Sequence, residues 1–225
     1  MIIVTGSSKG LGAAICERLI NGGHDVYGLA RDVSGLNFEG QNCDVSSYEQ
    51  VKAVAKKLKK SKAVVNGIVN AAGVASMNLA ITTPPRVTQN IIQTNLVGTI
   101  YCCQLFAPLM IRNKHGSIIN FSTLAVTLGL KGESVYAASK AGVECFSRAF
   151  ARELGDFNIR VNCIAPGPIK TDLLKGVSTA QIDSIVSQQI IPKQATPSDV
   201  CDLVEILLNE KTSSLSGQVL NIGGA

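Results

Sequence analysis

Tyr136 and Lys140 lie four residues apart in Ser134-Val135-Tyr136-Ala137-Ala138-Ser139-Lys140. On a helix that spacing puts both side chains on one face, a phenol beside an ammonium group. A free phenol titrates near ~10 and moves protons poorly at neutral pH; bringing it to ~7 requires roughly 4 kcal/mol. One cation at ~4 Å in a medium of effective dielectric ~20 supplies an energy of that order. The pair is therefore physically sufficient for an acid–base tyrosine near neutrality. Helical Tyr-x-x-x-Lys pairs are common, so the rest of the chain must say what such a tyrosine would act on.

A second group of residues offers a ligand site. Met1-Ile2-Ile3-Val4 reads as a strand and runs into Thr5-Gly6-Ser7-Ser8-Lys9-Gly10-Leu11-Gly12, after which a helical pattern begins. Glycines let the backbone turn tightly and approach a ligand, and a helix start offers unpaired N–H groups and partial positive charge to phosphate. The spacing is G-x-x-x-G-x-G rather than the commoner G-x-G-x-x-G, but its place between a first strand and a first helix points to a dinucleotide. The second strand ends Gly28-Leu29-Ala30-Arg31-Asp32. A carboxylate at that tip would accept the ribose hydroxyls and repel a 2′-phosphate. Ala30 stands where that acid is expected, with Arg31 beside it and Lys9 in the glycine turn. Two cations near one ribose favour NADP over NAD. The alternatives are an Arg31 that is simply exposed and an Asp32 that serves as the ribose acid.

These residues need a frame. Short apolar runs at 2–5, 25–30, 40–43, 64–70, 116–121, 158–164 and 218–222 alternate with helical patterns at 11–21, 47–60, 86–112, 135–154 and 197–209, with a further helix within 173–190. The strands are rich in Val and Ile with little polar alternation, as in strands buried on both faces. The pattern predicts an α/β protein: a single-domain, Rossmann-type doubly wound fold over 1–225, with about seven parallel strands flanked by helices on both faces. Asp32 to Asn42, interrupted by Gly35 and Gly40, is too short for a full crossover helix, and a loop or single turn is expected there.

Composition narrows the classes. Of 225 residues, 46% are apolar and 16% charged, which excludes a disordered chain. Seven cysteines, an odd number without any C-x-x-C pair, read as buried thiols of a reduced, cytoplasmic protein. No signal peptide is expected before the first strand, and no apolar run reaches the ~18 residues of a membrane span. The net charge of +5 gathers in Lys52, Lys56, Lys57, Lys59, Lys60 and Lys62, between which Val51, Val54, Ala55 and Leu58 recur at helical spacing. That is the solvated face of an amphipathic helix rather than a nucleic-acid surface. His24 and His115 lie far apart, without clustered acids or cysteines, and no metal site is expected.

The chain resembles the short-chain dehydrogenase/reductase family over nearly its whole length. The glycine turn matches the family's cofactor turn, Cys43-Asp44-Val45 its adenine-contacting Asp-Val, and Asn70-Ala71-Ala72-Gly73 its Asn-Asn-Ala-Gly segment. Asn95, in Thr94-Asn95-Leu96-Val97-Gly98, falls where the family keeps a catalytic-helix asparagine, and Tyr136 with Lys140 matches its acid–base pair. Pro166-Gly167-Pro168-Ile169-Lys170-Thr171 resembles the segment that holds the nicotinamide carboxamide. The resemblance implies cofactor contacts from Gly6, Ser8, Lys9, Gly10, Leu11, Gly12, Arg31, Asp44, Val45, Asn70, Ala71, Ala72, Gly73, Pro166, Gly167, Ile169 and Thr171, besides Tyr136 and Lys140. It implies that Tyr136 exchanges the proton, that Lys140 lowers the Tyr136 pKa and binds the nicotinamide ribose, and that Asn95 holds a relay water behind Lys140.

One site departs from the pattern. The family usually places a serine thirteen residues before the tyrosine; here that residue is Thr123, with Ser122 just before it. Neighbouring strand residues face opposite ways, so only one should enter the site, and Thr123 is favoured with Ser122 as the alternative. Asn70-Ala71-Ala72-Gly73 also lacks the second asparagine.

The substrate wall is expected near 74–79, 124–130 and 168–190, with Met77, Leu79, Leu124, Val126, Leu128, Leu173, Leu174 and Val177, and with 172–192 as a lid. The C-terminal part, through Thr196-Pro197-Ser198-Asp199 and Gly217-Gln218-Val219-Leu220-Asn221-Ile222-Gly223-Gly224, is similar to 3-oxoacyl-carrier-protein reductases. The resemblance implies an NADPH-dependent carbonyl reductase, acting on a small or carrier-bound substrate that Lys114 and Lys175 would help to dock. An NAD-dependent alcohol dehydrogenase for a small cyclic or sugar-like substrate, and a non-catalytic dinucleotide sensor, are the alternatives. It also implies a homodimer or homotetramer joined through 86–112 and 135–154, with Leu105, Phe106, Val143, Phe146 and Phe150 either at that interface or in the core.

Overall fold

The computed structural model describes residues 1–171 and 177–224. Seven strands form one parallel sheet: β1 (Ile2–Thr5), β2 (Val26–Ala30), β3 (Gly40–Asn42), β4 (Gly67–Asn70), β5 (Gly116–Phe121), β6 (Ile159–Pro166) and β7 (Val219–Ile222). Their order is β3-β2-β1-β4-β5-β6-β7. The chain winds outward one way from β1 and then the other way from β4, so a crevice opens between the carboxyl ends of those two strands. There Thr5 pairs with Asn70, and Asn70 with Asn120 of β5.

Every residue of β1, β2, β4 and β5 is buried, which explains the unbroken apolar runs. Successive strand residues face opposite sides of the sheet and so divide between two cores. Ile3, Ile68, Ile118 and Val161 pack with helices α2 (Tyr48–Lys60), α4 (Gly98–Ile111) and α6 (Ser134–Leu154). Val4, Val69, Ile119 and Ile164 pack with α1 (Gly10–Asn21) and α8 (Pro197–Leu208). Helix α3 (Pro85–Ile92) runs through a π-helical turn (Gln93–Val97) into α4. Pro85–Ile111 is thus 27 continuous helical residues, long and apolar enough to cross a membrane, where the sequence reading expected no such span. Its Cys102, Cys103, Phe106, Ala107 and Met110 pack on the sheet instead.

Local signals place several boundaries. In α8, Thr196 accepts from the Asp199 N–H while the Asp199 carboxylate accepts from the Thr196 N–H at 2.7 Å, with Pro197 in the first turn. The reciprocal cap is worth about 1 kcal/mol. Between β2 and β3 there is no helix; Leu36 and Phe38 fold back over Gly28. The short helix α5 (Ala125–Leu128) was not legible in the sequence, and the helix expected within 173–190 is α7 (Thr179–Val186). Phe106, Val143 and Phe150 belong to the core, whereas Leu105 and Phe146 are half-buried.

Candidate active site

A cavity of about 700 Å³ lies along the carboxyl ends of the strands. Its wall includes Gly6, Ser8, Lys9, Gly10, Leu11 and Gly12 from the first turn, Arg31 after β2, Asp44 and Val45 after β3, and Ala71, Ala72 and Gly73 after β4. Thr123, Tyr136, Lys140, Pro166, Gly167, Ile169 and Thr171 complete it. Residues spread over the whole chain therefore meet because every parallel strand delivers its following loop to the same edge.

The glycine turn suits a phosphate. Gly6 and Gly10 have φ of 70° and 57°, and an added Cβ on Gly12 would stand 2.2 Å from the Gly6 carbonyl oxygen. Only a residue without a side chain lets α1 start this close to β1. No side chain caps the start of α1, and its Gly10, Leu11 and Gly12 line the cavity, where the helix dipole favours an anion. Ala72 N–H donates to Thr5 Oγ1 at 3.0 Å and ties the turn to the loop after β4. These observations fit the dinucleotide diphosphate that the fold implies.

The adenosine end carries the expected cations. Arg31 and Lys9 line the cavity, and neither enters an ion pair among the described residues. Asp32 is occupied locally: its carboxylate accepts from the Ser34 N–H at 2.9 Å, and this bond holds its pKa below the ordinary carboxylate range. Asp44 also turns to its own loop, accepting from Ser46 N–H at 2.9 Å and Ser46 Oγ at 2.7 Å.

Two residues sit elsewhere than at the cavity wall. Asn70 lies beneath it, its Nδ2 donating to Asn120 Oδ1 at 2.8 Å, so it braces β4 against β5 rather than reaching a ligand. Asn95 is fully buried behind the wall, in the π-helical turn. Its Oδ1 accepts from Val74 N–H at 2.8 Å, and its Nδ2 donates to Val74 O at 2.9 Å and Ser139 Oγ at 3.1 Å. It thereby clamps the loop that carries Gly73. A Cβ on Gly73 would stand 3.3 Å from Asn95 Oδ1 and 3.7 Å from Lys140 Nζ, so the two polar groups converge on one point beside that glycine.

The electrostatics of Tyr136 and Lys140 differ from the expectation drawn from their spacing. They do share a face, with Lys140 Nζ 5.9 Å from the centre of the Tyr136 ring. The ammonium, however, donates to the Phe121 carbonyl at 2.9 Å rather than to the phenol. Burial then dominates both groups: it pushes the phenol well above its ordinary value and pulls Lys140 down to about 8. The Glu133 charge raises the phenol further, and a hydrogen bond with Thr123 opposes the rise. In this state the phenol stays above its ordinary value because burial outweighs the charges around it.

Between the two candidate hydroxyls the structure separates the directions. Thr123 lines the cavity with its Oγ1 accepting from the Ala125 N–H at 3.2 Å, while Ser122 Oγ turns back to α6 and donates to Glu144 Oε1 at 2.5 Å. Of the expected substrate-wall residues, Met77, Leu124 and Val177 line the cavity; Leu173, Leu174 and Lys175 lie outside the described residues. Ser76, Asn78, Asn90, Thr94, Leu130, Glu133, Ile182 and Ile185 add to that end. Glu133 and Gln189 were missed by the sequence reading. Glu133 precedes Tyr136 by three residues, a spacing that already puts it on the same face. Gln189, 5% exposed, fills the space between Gly167 and Gly223, and nothing in its local sequence announces that contact.

A parallel sheet with this crevice, a glycine turn feeding a helix start, and a buried Tyr–Lys pair define a dinucleotide-dependent oxidoreductase. A family model described as enoyl-(acyl carrier protein) reductase matches residues 6–224. The chain is 30% identical to the 3-oxoacyl-[acyl-carrier-protein] reductase of Escherichia coli (strain K12) and 33% identical to that of Chlamydia muridarum, in each case over 99% of this chain and 95% of the relative. Among solved structures, the aldohexose dehydrogenase of Thermoplasma acidophilum superposes with a TM-score of 0.89 at 28% identity, covering 99% of this chain and 92% of that one. ElxO with NADP bound gives a TM-score of 0.89 at 28% identity, covering 98% and 96%. The chain belongs to the short-chain dehydrogenase/reductase family.

Proposed function

We propose that this oxidoreductase reduces a ketone to a secondary alcohol with NADPH, Tyr136 delivering the proton. One observation carries the reading: a buried phenol, with the Thr123 hydroxyl on the same wall, shares a cavity with an uncapped helix start and a glycine turn. Burial and the Glu133 charge keep the phenol protonated at neutral pH, the form that donates to a carbonyl oxygen. Thr123 orients that oxygen. When bound, the dinucleotide supplies the hydride to the carbonyl carbon.

Lys140, with a pKa near 8, holds a proton at neutral pH and binds the nicotinamide ribose hydroxyls. Asn95 and Lys140, converging beside Gly73, form the route by which Tyr136 regains its proton. Arg31 and Lys9 hold the 2′-phosphate, and Ile169 and Thr171 flank the carboxamide. A name such as ElxO with NADP bound agrees with this cofactor. The names of the curated relatives point to a 3-oxoacyl thioester, and Lys114 would help to dock its carrier protein. Half-buried Leu105 and Phe146, on α4 and α6, would pair two copies of the chain.

The second reading is an NAD-dependent alcohol dehydrogenase for a small cyclic or sugar-like substrate; polar Asn78, Asn90, Thr94 and Glu133 at the substrate end favour it. An NADPH-oxidation screen over 3-oxoacyl thioesters, cyclic ketones, quinones and sugar ketones tests both. We expect Tyr136→Phe to lower kcat by about 10²–10⁴-fold with NADPH affinity unchanged. Undiminished reduction in that variant would remove Tyr136 from the mechanism, and tighter binding of NADH than NADPH would overturn the cofactor assignment.

A further inference from the structure

Glu133 immediately precedes α6, three residues before Tyr136, and its side chain lines the cavity. It does not cap the helix it precedes. Among the described residues no cation pairs with it, so nothing in the fold accounts for a carboxylate at this point. The same cavity is lined by the polar Asn90 and Thr94 and by the apolar Leu130, Ile182 and Ile185. Glu133 is half-buried, and a partly desolvated carboxylate without a partner gains from a donor, to which its hydrogen bond is stronger than one in water. It stands one turn before Tyr136 and lines the same cavity, and its charge opposes ionisation of the phenol. Burial raises its own pKa, as it does for any carboxyl without a partner.

We infer that Glu133 is the specificity residue of the carbonyl reaction: its carboxylate accepts a hydrogen bond from a hydroxyl next to the ketone, selecting hydroxy ketones over their deoxy analogues. A substrate with its own carboxylate at that place is repelled. This rests on the carbonyl-reductase reading above and takes its hydroxylated, sugar-like branch in place of the 3-oxoacyl thioester. The residue binds substrate and takes no part in the proton or hydride transfer.

The test compares 2-hydroxycyclohexanone with 2-methylcyclohexanone, which differ by a hydroxyl and a methyl of similar size, in NADPH-oxidation assays. In the parent protein we expect kcat/KM to favour the hydroxy ketone by about 10–100-fold, as for a hydrogen bond to a charged group. Glu133→Leu should bring the two within about threefold by weakening only the hydroxy ketone, and Glu133→Gln, which keeps an acceptor oxygen, should fall between. An unchanged NADPH Kd shows that each variant is folded, and the isosteric Glu133→Gln carries the test if Glu133→Leu is not. No preference in the parent, or a preference that survives in both variants, would overturn the inference. Tyr136-dependent reduction of both ketones without preference would sink the role of Glu133 alone; absence of any Tyr136-dependent NADPH oxidation across the wider screen would sink the reading beneath it as well.

Discussion

The two ends of the cavity are built by different means. The phosphate-facing part of the dinucleotide end is made of backbone: the glycine turn after β1 and the uncapped start of α1, within residues 5–12. The substrate end is made of side chains from residues 74–78, 90–94, 123–136 and 177–185, which meet only because the sheet gathers their loops. A backbone site tolerates almost any neighbouring side chain but no displacement. A side-chain site tolerates displacement of its loops yet depends on each residue type. Conversion of one member of this fold to another chemistry therefore belongs at the second end.

Breaking the first end should give the largest effect. Gly12→Ala places a methyl where only 2.2 Å separates it from the Gly6 carbonyl oxygen. We expect NADPH affinity, followed by fluorescence titration, to weaken at least about 100-fold, the equivalent of some 3 kcal/mol. Retained affinity would mean that the turn yields more easily than its backbone packing indicates.

At the second end the paired hydroxyls sharpen the contrast. Thr123→Ala should lower kcat about 10–100-fold in steady-state assays, because a donor aimed at the carbonyl oxygen is lost. Ser122→Ala should leave kcat within about threefold but lower unfolding stability by roughly 1–2 kcal/mol in denaturant titrations, since it frees Glu144, whose side chain is only 13% exposed. The reverse pattern would assign the site to Ser122.

A smaller effect separates the charge at the dinucleotide end from its backbone. Arg31→Ala should weaken NADPH about tenfold and leave NADH unchanged, measured by the same titration. Equal weakening of both would show that Arg31 contacts something other than the 2′-phosphate.

The last test is of the buried groups as a whole and uses pH. Cys16, Cys103 and Cys163 are raised by burial to about 12, and Cys43 to about 11, from 9.0. A raised folded pKa contributes stability that is complete below the unfolded value and lost as pH climbs above it. Lys140 has the opposite sign: lowered from 10.5 to about 8, it costs stability below pH ~8 and the cost is relieved as pH rises to ~10.5. The thiols outnumber it, so the urea midpoint should fall above pH ~9. Lys140→Met should steepen that fall by removing the opposing contribution; a shallower fall would contradict the depressed lysine.

Much of this was legible from residue order. The strand and helix alternation, the missing helix after β2 and the glycine turn all follow from patterns within about ten residues, where apolar periodicity and backbone sterics act locally. The choice between Thr123 and Ser122 was not legible, because both follow the end of β5 and strand alternation does not govern them; the Ser122 hydroxyl turns to Glu144. Asn70 was assigned to the cofactor by its place in a motif, yet its side chain spans to Asn120 in the next strand. The Tyr136–Lys140 coupling failed for a related reason: spacing showed a shared face, but not that the Phe121 carbonyl would hold the ammonium.

The sequence by itself determined the class of fold, the glycine turn between β1 and α1 and the shared face of Tyr136 and Lys140, since each rests on short-range geometry. Only the tertiary structure decided that burial, rather than the neighbouring lysine, governs the Tyr136 pKa. It alone moved Asn70 and Asn95 behind the wall and put Glu133 beside the phenol and Gln189 between Gly167 and Gly223. Desolvation and charge depend on everything within several ångströms in space, and most of that surrounding comes from residues distant along the chain.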